Sequence, residues 1–93
     1  GSDRARADAM ALAVRIAAAR DQAILSGGSL ALQTAADGYR FEMRSEGQWV
    51  PADEPALRQR RWSPGVSLAS PAASQRLRFD NAGLPDRALV LHL

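Results

Sequence analysis

The chain has no cysteine and no lysine, a single histidine, and five aromatic residues among 93. Without cysteine there is no disulfide, thiolate zinc site, iron–sulfur cluster or cysteine nucleophile. The one histidine, His92, cannot build a histidine-rich metal site, and no serine or acid stands at a spacing that suggests a nucleophilic relay. It is expected in a terminal strand, on the face opposite Leu89, Leu91 and Leu93. No apolar run approaches the roughly 20 residues of a membrane span. Bulky apolar side chains are scarce too: 46% of the chain is hydrophobic, but 19 of those 43 residues are alanine. The 24 that remain make a thin core for a single small domain of modest stability.

The missing lysine explains an otherwise misleading isoelectric point near 10.4. All 12 basic residues are arginine, which stays protonated far above pH 10, so the charge curve crosses zero late. At neutral pH the formal charge is only +2. Residues 1–50 carry six arginines and six acids, net 0; residues 51–93 carry six arginines and four acids, net +2. The balance is not that of a general nucleic-acid binder.

Gly1-Ser2 reads as a cloning scar and is left out of the fold reasoning. Residues 3–26 contain no proline or glycine and are rich in alanine and leucine, which predicts a helix stopped by Gly27-Gly28. At 100° per residue, Ala5, Ala9, Leu12, Ile16, Ala19 and Ala23 share one face. Met10, Val14, Ala17, Ile24 and Leu25 form a second apolar face, interrupted by Arg6 and Asp21. Arg4, Asp8, Arg15 and Gln22 make the polar stripe. The helix therefore has more apolar surface than one core needs.

After Gly28 the period changes from 3.6 to 2. Leu30 and Leu32, then Tyr39, Phe41 and Met43, alternate with polar or small residues, and Asp37-Gly38 suggests the tight turn of an antiparallel hairpin. Gln48-Trp49-Val50 is a third strand after the Ser45-Glu46-Gly47 turn. Leu57–Trp62 reads as an extended edge segment closed by Pro64-Gly65, and Val66–Leu68 as a short strand. Residues 69–75 are small, polar and expected to be mobile. Arg76–Phe79 and Ala88–Leu93 complete the strands, joined by a turn-rich loop over 80–87. The expected fold class is α+β: one long N-terminal helix (residues 3–28 with its stop) packed on antiparallel sheet of six or seven strands (residues 29–93).

Little in the sequence suggests chemistry. Ser26-Gly27-Gly28-Ser29 follows a helix and precedes a strand, the reverse of a phosphate-cradling loop. Asp53-Glu54, with Asp80 and Asn81 in a second loop, could begin a divalent-cation site, but solvated loop acids account for them. Trp49 and Trp62 could stack a base or sugar; packing onto the small core is the expectation. Arg58, Arg60 and Arg61 are the densest basic cluster, which Arg76, Arg78 and Arg87 could join. They suit either a solvated strand face or a partner's carboxylates or phosphates. No catalytic, cofactor-binding or metal-binding residue is assigned.

Five pieces of the chain, in order, resemble the H-type minor pseudopilins of type II secretion, a family shared with the FimT and FimU minor pilins. Ala19-Arg20-Asp21-Gln22-Ala23-Ile24-Leu25-Ser26-Gly27 resembles the family's A-R-x-x-A-I-x-x-G helix end. Gly38-Tyr39-Arg40-Phe41 is similar to its G-Y-x-F strand, and Gly47-Gln48-Trp49 to its G-x-W turn. Leu57–Trp62 with Pro64-Gly65-Val66 resembles its arginine-rich segment and following turn. Leu77-Arg78-Phe79-Asp80, Gly83 and Leu89-Val90-Leu91 resemble its closing strands.

The resemblance implies a pilin-like fold, a periplasmic domain of two antiparallel sheets on a helical stalk. It also implies a prepilin leader, a methylated N-terminal residue and a membrane-embedded helix half before Asp3, anchored in the bacterial inner membrane until assembly. It implies a structural, non-enzymatic subunit near the pseudopilus tip. The implied partners are the J-type pseudopilin first, then the I and K types and the major pseudopilin. The calcium site of the major pseudopilin has no counterpart here. The alternative is a FimT-type minor pilin that binds DNA for uptake or primes pilus assembly; the tail after Arg87 holds no further arginine, which counts against DNA. A third option, a small carbohydrate- or peptide-binding β domain, would rest on Trp49 and Trp62. Leu12, Ile16 and Ala23 are expected to face the sheet. Met10, Val14, Arg58, Arg60 and Arg61 are the candidate partner-binding residues.

Overall fold

The computed structural model describes residues 2–67 and 75–86. Helix α1 runs from Ser2 to Ser26, so it takes in Ser2, one of the two residues read as a scar. Twenty-five residues at ~1.5 Å each give a rod of about 37 Å, close to the 39 Å long dimension of the molecule. The helix stops where expected: Gly27 adopts the left-handed φ of 63° and its N–H returns to the Ile24 carbonyl at 3.4 Å.

Five antiparallel strands follow among the described residues: β1 (Leu30–Ala35), β2 (Gly38–Ser45), β3 (Gln48–Pro51), β4 (Arg60–Arg61) and β5 (Gln75–Phe79). Their order is β3-β2-β1-β5, with β4 also pairing β2. The α+β expectation holds, with one sheet among the described residues. The register sets Leu32 between Phe41 and Leu77, and Leu30 between Met43 and Phe79. With side chains alternating at period 2, one face carries Leu30, Leu32, Thr34, Tyr39, Phe41, Leu77 and Phe79, all buried. Leu12, Ala19 and Ala23 of α1 join them in one core, with Ile16 packed at its margin. Of the face assigned to the sheet from periodicity, Leu12, Ala19 and Ala23 are buried and Ala5 and Ile16 half-buried, while Ala9, nearer the helix start, is exposed. Ala19 and Ala23 have no exposed surface, so two methyl side chains set how closely helix and sheet approach.

Three local expectations are corrected. Leu57–Trp62 is not one extended segment. Pro55–Leu57 forms a 3₁₀ turn, with the Leu57 N–H on the Glu54 carbonyl at 2.9 Å, and only Arg60–Arg61 pairs as a strand. The Leu57 side chain is 2% exposed, and anchoring it in the core bends the chain that a straight strand would hold outside. Val66 is not in a strand, because its N–H closes the Pro64-Gly65 turn onto the Ser63 carbonyl at 2.9 Å. Asp37-Gly38 is not the turn pair: Ala36 and Asp37 form the turn, and Gly38 opens β2 opposite Ala35 without positive φ. Gly38 is needed for a different reason: a Cβ there would collide with the Arg60 carbonyl oxygen as β4 closes on β2. Gln75, expected to belong to the mobile segment 69–75, instead opens β5; residues 69–74 and the strand expected at 88–93, with His92, lie outside the described residues.

Candidate interaction surfaces

The helix divides its residues by direction. Leu12 is 4% exposed, whereas Met10 is 65% and Val14 70% exposed on the opposite side, and Ile24 and Leu25 are exposed near its end. The second apolar face read from the sequence thus points to solvent. The polar stripe, by contrast, leans on the domain. The Asp8 carboxylate accepts the Ser63 N–H and the Ser63 hydroxyl, each at 2.7 Å. Arg4 donates to the Pro64 carbonyl at 3.0 Å and Arg15 to the Ala56 carbonyl at 3.1 Å. Near the other end, Arg20 Nε donates to the Gly83 carbonyl at 2.7 Å. The loop it meets is folded by Asp80, whose Oδ1 accepts the N–H groups of Ala82 and Leu84 at 2.9 Å.

Arg58, Arg60 and Arg61 are all exposed. Arg60 stands opposite Tyr39 and Arg61 opposite Gly38, so alternation aims Arg60 toward the helix side and Arg61 toward the outer face. A cleft of about 130 Å³ lies there, lined by Asp8, Arg15, Tyr39, Arg60, Arg61 and Ser63. Burial raises the Tyr39 pKa above its usual 10.0, the positive charges of Arg15 and Arg60 oppose that rise, and Asp8 adds to it.

The structure does not gather the other arginines with this cluster. Arg76 and Arg78 lie on β5, with β1 and β2 between them and β4. Arg76 pairs with the buried Glu42 at 2.9 Å, and Arg40 approaches the same carboxylate at 3.4 Å. Arg87 lies outside the described residues. Trp62 packs in the core as expected, its ring 5.1 Å from that of Tyr39 and its N–H on the Ala35 carbonyl at 3.2 Å. Trp49 does not: it lies half-buried on the outer face, with the guanidinium carbons of Arg44 and Arg76 at 5.2 and 5.6 Å from its ring centre. Its register opposite Arg44 puts it on the face away from the helix. It borders a hollow of about 460 Å³ shared with Arg44, Arg78, Asp80, Leu84 and Asp86.

Asp53 follows β3 and Asp80 follows β5, at opposite margins of the main strand path, so the two acidic loops do not converge. Among the described residues no group of three histidine, cysteine or acidic side chains is placed to hold a metal, and no helix is long and apolar enough to cross a membrane. The residues that sequence reasoning missed are Asp8, Arg15, Tyr39 and Ser63. They come together only because the Pro64-Gly65 turn brings Ser63 to the helix, and no motif marks that contact.

The family model for type II transport protein GspH matches residues 8–92. The chain belongs to the GspH family. The matched span contains all five sequence pieces, the exposed helix face and the arginine edge. No curated protein and no solved structure gives a match. GspH is a structural pseudopilin family rather than an enzyme family, and membership gives the chain a general role as a type II secretion pseudopilin that associates with other pseudopilins.

Proposed function

We propose that this chain is a structural minor pseudopilin that joins the tip complex of the periplasmic pseudopilus. In this reading it is held in the inner membrane by a preceding helix half until assembly. The pseudopilus then drives export of folded proteins across the outer membrane. The exposed apolar stripe of α1, with Met10 and Val14 at its centre, is the observation that carries this reading. The buried face of the helix already satisfies the sheet, so the second face is available to neighbouring stalks in a repeating, heterologous contact. The J-type pseudopilin is the expected first neighbour, followed by the I and K types and the major subunit. Arg58, Arg60 and Arg61 lie on the globular part as a second, charged contact.

The test is calorimetric titration, at moderate salt, against the soluble domain of the J-type pseudopilin of the same system and against a short DNA duplex. Heat with the J-type domain and flat traces with DNA support the reading. Salt-sensitive DNA binding that disappears on mutating Arg58, Arg60 and Arg61 moves the protein to the FimT-type alternative.

A further inference from the structure

We infer that the cleft between α1 and β4 binds a carboxylate from an acidic segment of a protein partner, with Arg60, Arg15 and the Tyr39 hydroxyl as donors. The inference deepens the proposed function and rests on it only in taking a protein as the partner. Arg15, Tyr39 and Arg60 all line the cleft. Tyr39 is 5% exposed and lies beside Arg15 there, where its phenolic O–H is a donor. Arg15 is held in place by the Ala56 carbonyl at 3.1 Å. Arg60 is exposed and shares the Tyr39 face.

The one carboxylate within the cleft offsets only one of these two cations: Asp8, oriented by the two Ser63 donors, carries a single negative charge against Arg15 and Arg60 and leaves a net positive site. Among the described residues the only ion pairs are those of Glu42, on the other face of the sheet. Two guanidiniums and a hydroxyl around a small polar cavity suit a bidentate carboxylate. The cleft holds about 130 Å³, room for one such group. A duplex would need a row of cations following its backbone, whereas here β4 turns the Arg60 side chain to the Tyr39 face and Arg61 borders the cleft from the opposite face of the strand. The observations therefore favour an acidic protein surface over nucleic acid.

The domain labelled with ¹⁵N is titrated with poly-L-glutamate and, separately, with a DNA duplex of matched charge, at physiological salt. The arginine Nε–H resonances report each side chain. Poly-glutamate is expected to shift Arg15 and Arg60. Arg60→Ala should weaken binding by about tenfold or more and Arg61→Ala by less than about threefold, with backbone spectra confirming that both variants fold. Tyr39→Phe should weaken it while leaving the Arg60 position unchanged. Shifts confined to Arg58 and Arg61, no shifts at all, or tighter binding of the duplex at Arg15 and Arg60 would overturn the inference. If poly-glutamate binds as expected but no pseudopilin domain does, the proposed function fails and the carboxylate site stands.

Discussion

Glu46 holds φ at 51° and Gly47 at 79°, the paired left-handed conformation of a type I′ turn joining β2 to β3. Glycine accepts that geometry without cost; glutamate does not, because its Cβ crowds the carbonyl. Glu46→Asn should therefore raise stability by about 1 kcal/mol, read as a higher urea midpoint at unchanged slope. At Gly38 the direction reverses. Gly38→Ala places a methyl against the Arg60 backbone, and the expected loss is about 1–3 kcal/mol. Since β4 pairs only with the start of β2, the loss should appear together with altered Trp62 fluorescence. Tyr39 gives a signed pH effect. Its pKa is raised chiefly by burial, so the folded state holds the phenolic proton more tightly than the unfolded chain does. The resulting stability is fully present below about pH 10 and is lost as pH rises through the folded value. Tyr39→Phe should flatten the alkaline limb of a stability–pH curve; an unchanged limb would place its origin elsewhere.

At the scale of the element, α1 is held in two ways. Its later half packs through Ala19 and Ala23, both fully buried, and is tied down by Arg20 on Gly83. Its earlier half packs through Leu12, the one buried residue among those described there, and adds polar contacts, chiefly Asp8 with Ser63. Charge-assisted hydrogen bonds of this kind contribute about 1.5–3 kcal/mol together with the penalty of leaving donors unmet. Asp8 is only part-buried, so Asp8→Ala should cost about 1–2 kcal/mol. The cost should fall on the first half of the helix, seen as faster amide exchange before Arg15 than after it. Ala23→Leu tests the other half: overpacking should cost about 1–3 kcal/mol. A negligible change in either variant would mean that the helix is held by something other than these contacts.

For the molecule as a whole, the balance between folding and assembly is set by which apolar residues the fold leaves outside. Met10 and Val14 contribute little to a core they do not touch, so Val14→Asp should shift the melting temperature only slightly. It should nonetheless weaken association with a partner pseudopilin by at least about tenfold if Val14 lies at the centre of the contact. Circular dichroism and calorimetry on the same sample separate the two effects, and loss of folding would refute the assignment of helix faces. Leu12→Asp is the converse control, expected to unfold the domain because it buries an unpaired charge.

Much of this architecture was legible without coordinates. The helix and its glycine stop, the period-2 hairpins and the division of α1 into a face for the sheet and a face for something else follow from local propensity and periodicity, which act over a few residues; the family resemblance rested on five short motifs in order. The bend at Pro55–Leu57, the role of Gly38, the exposed position of Trp49 and the cleft around Tyr39 were not legible. Each depends on residues far apart in the chain: Arg60 closing on Gly38, Leu57 drawn into the core, Trp49 set opposite Arg44, Ser63 reaching Asp8. Sequence by itself determined the long helix, the main strands and which faces were apolar, because those are short-range properties of side-chain spacing. Only the tertiary structure decided which charged residues would meet, because the turns and register that bring distant segments together set those distances.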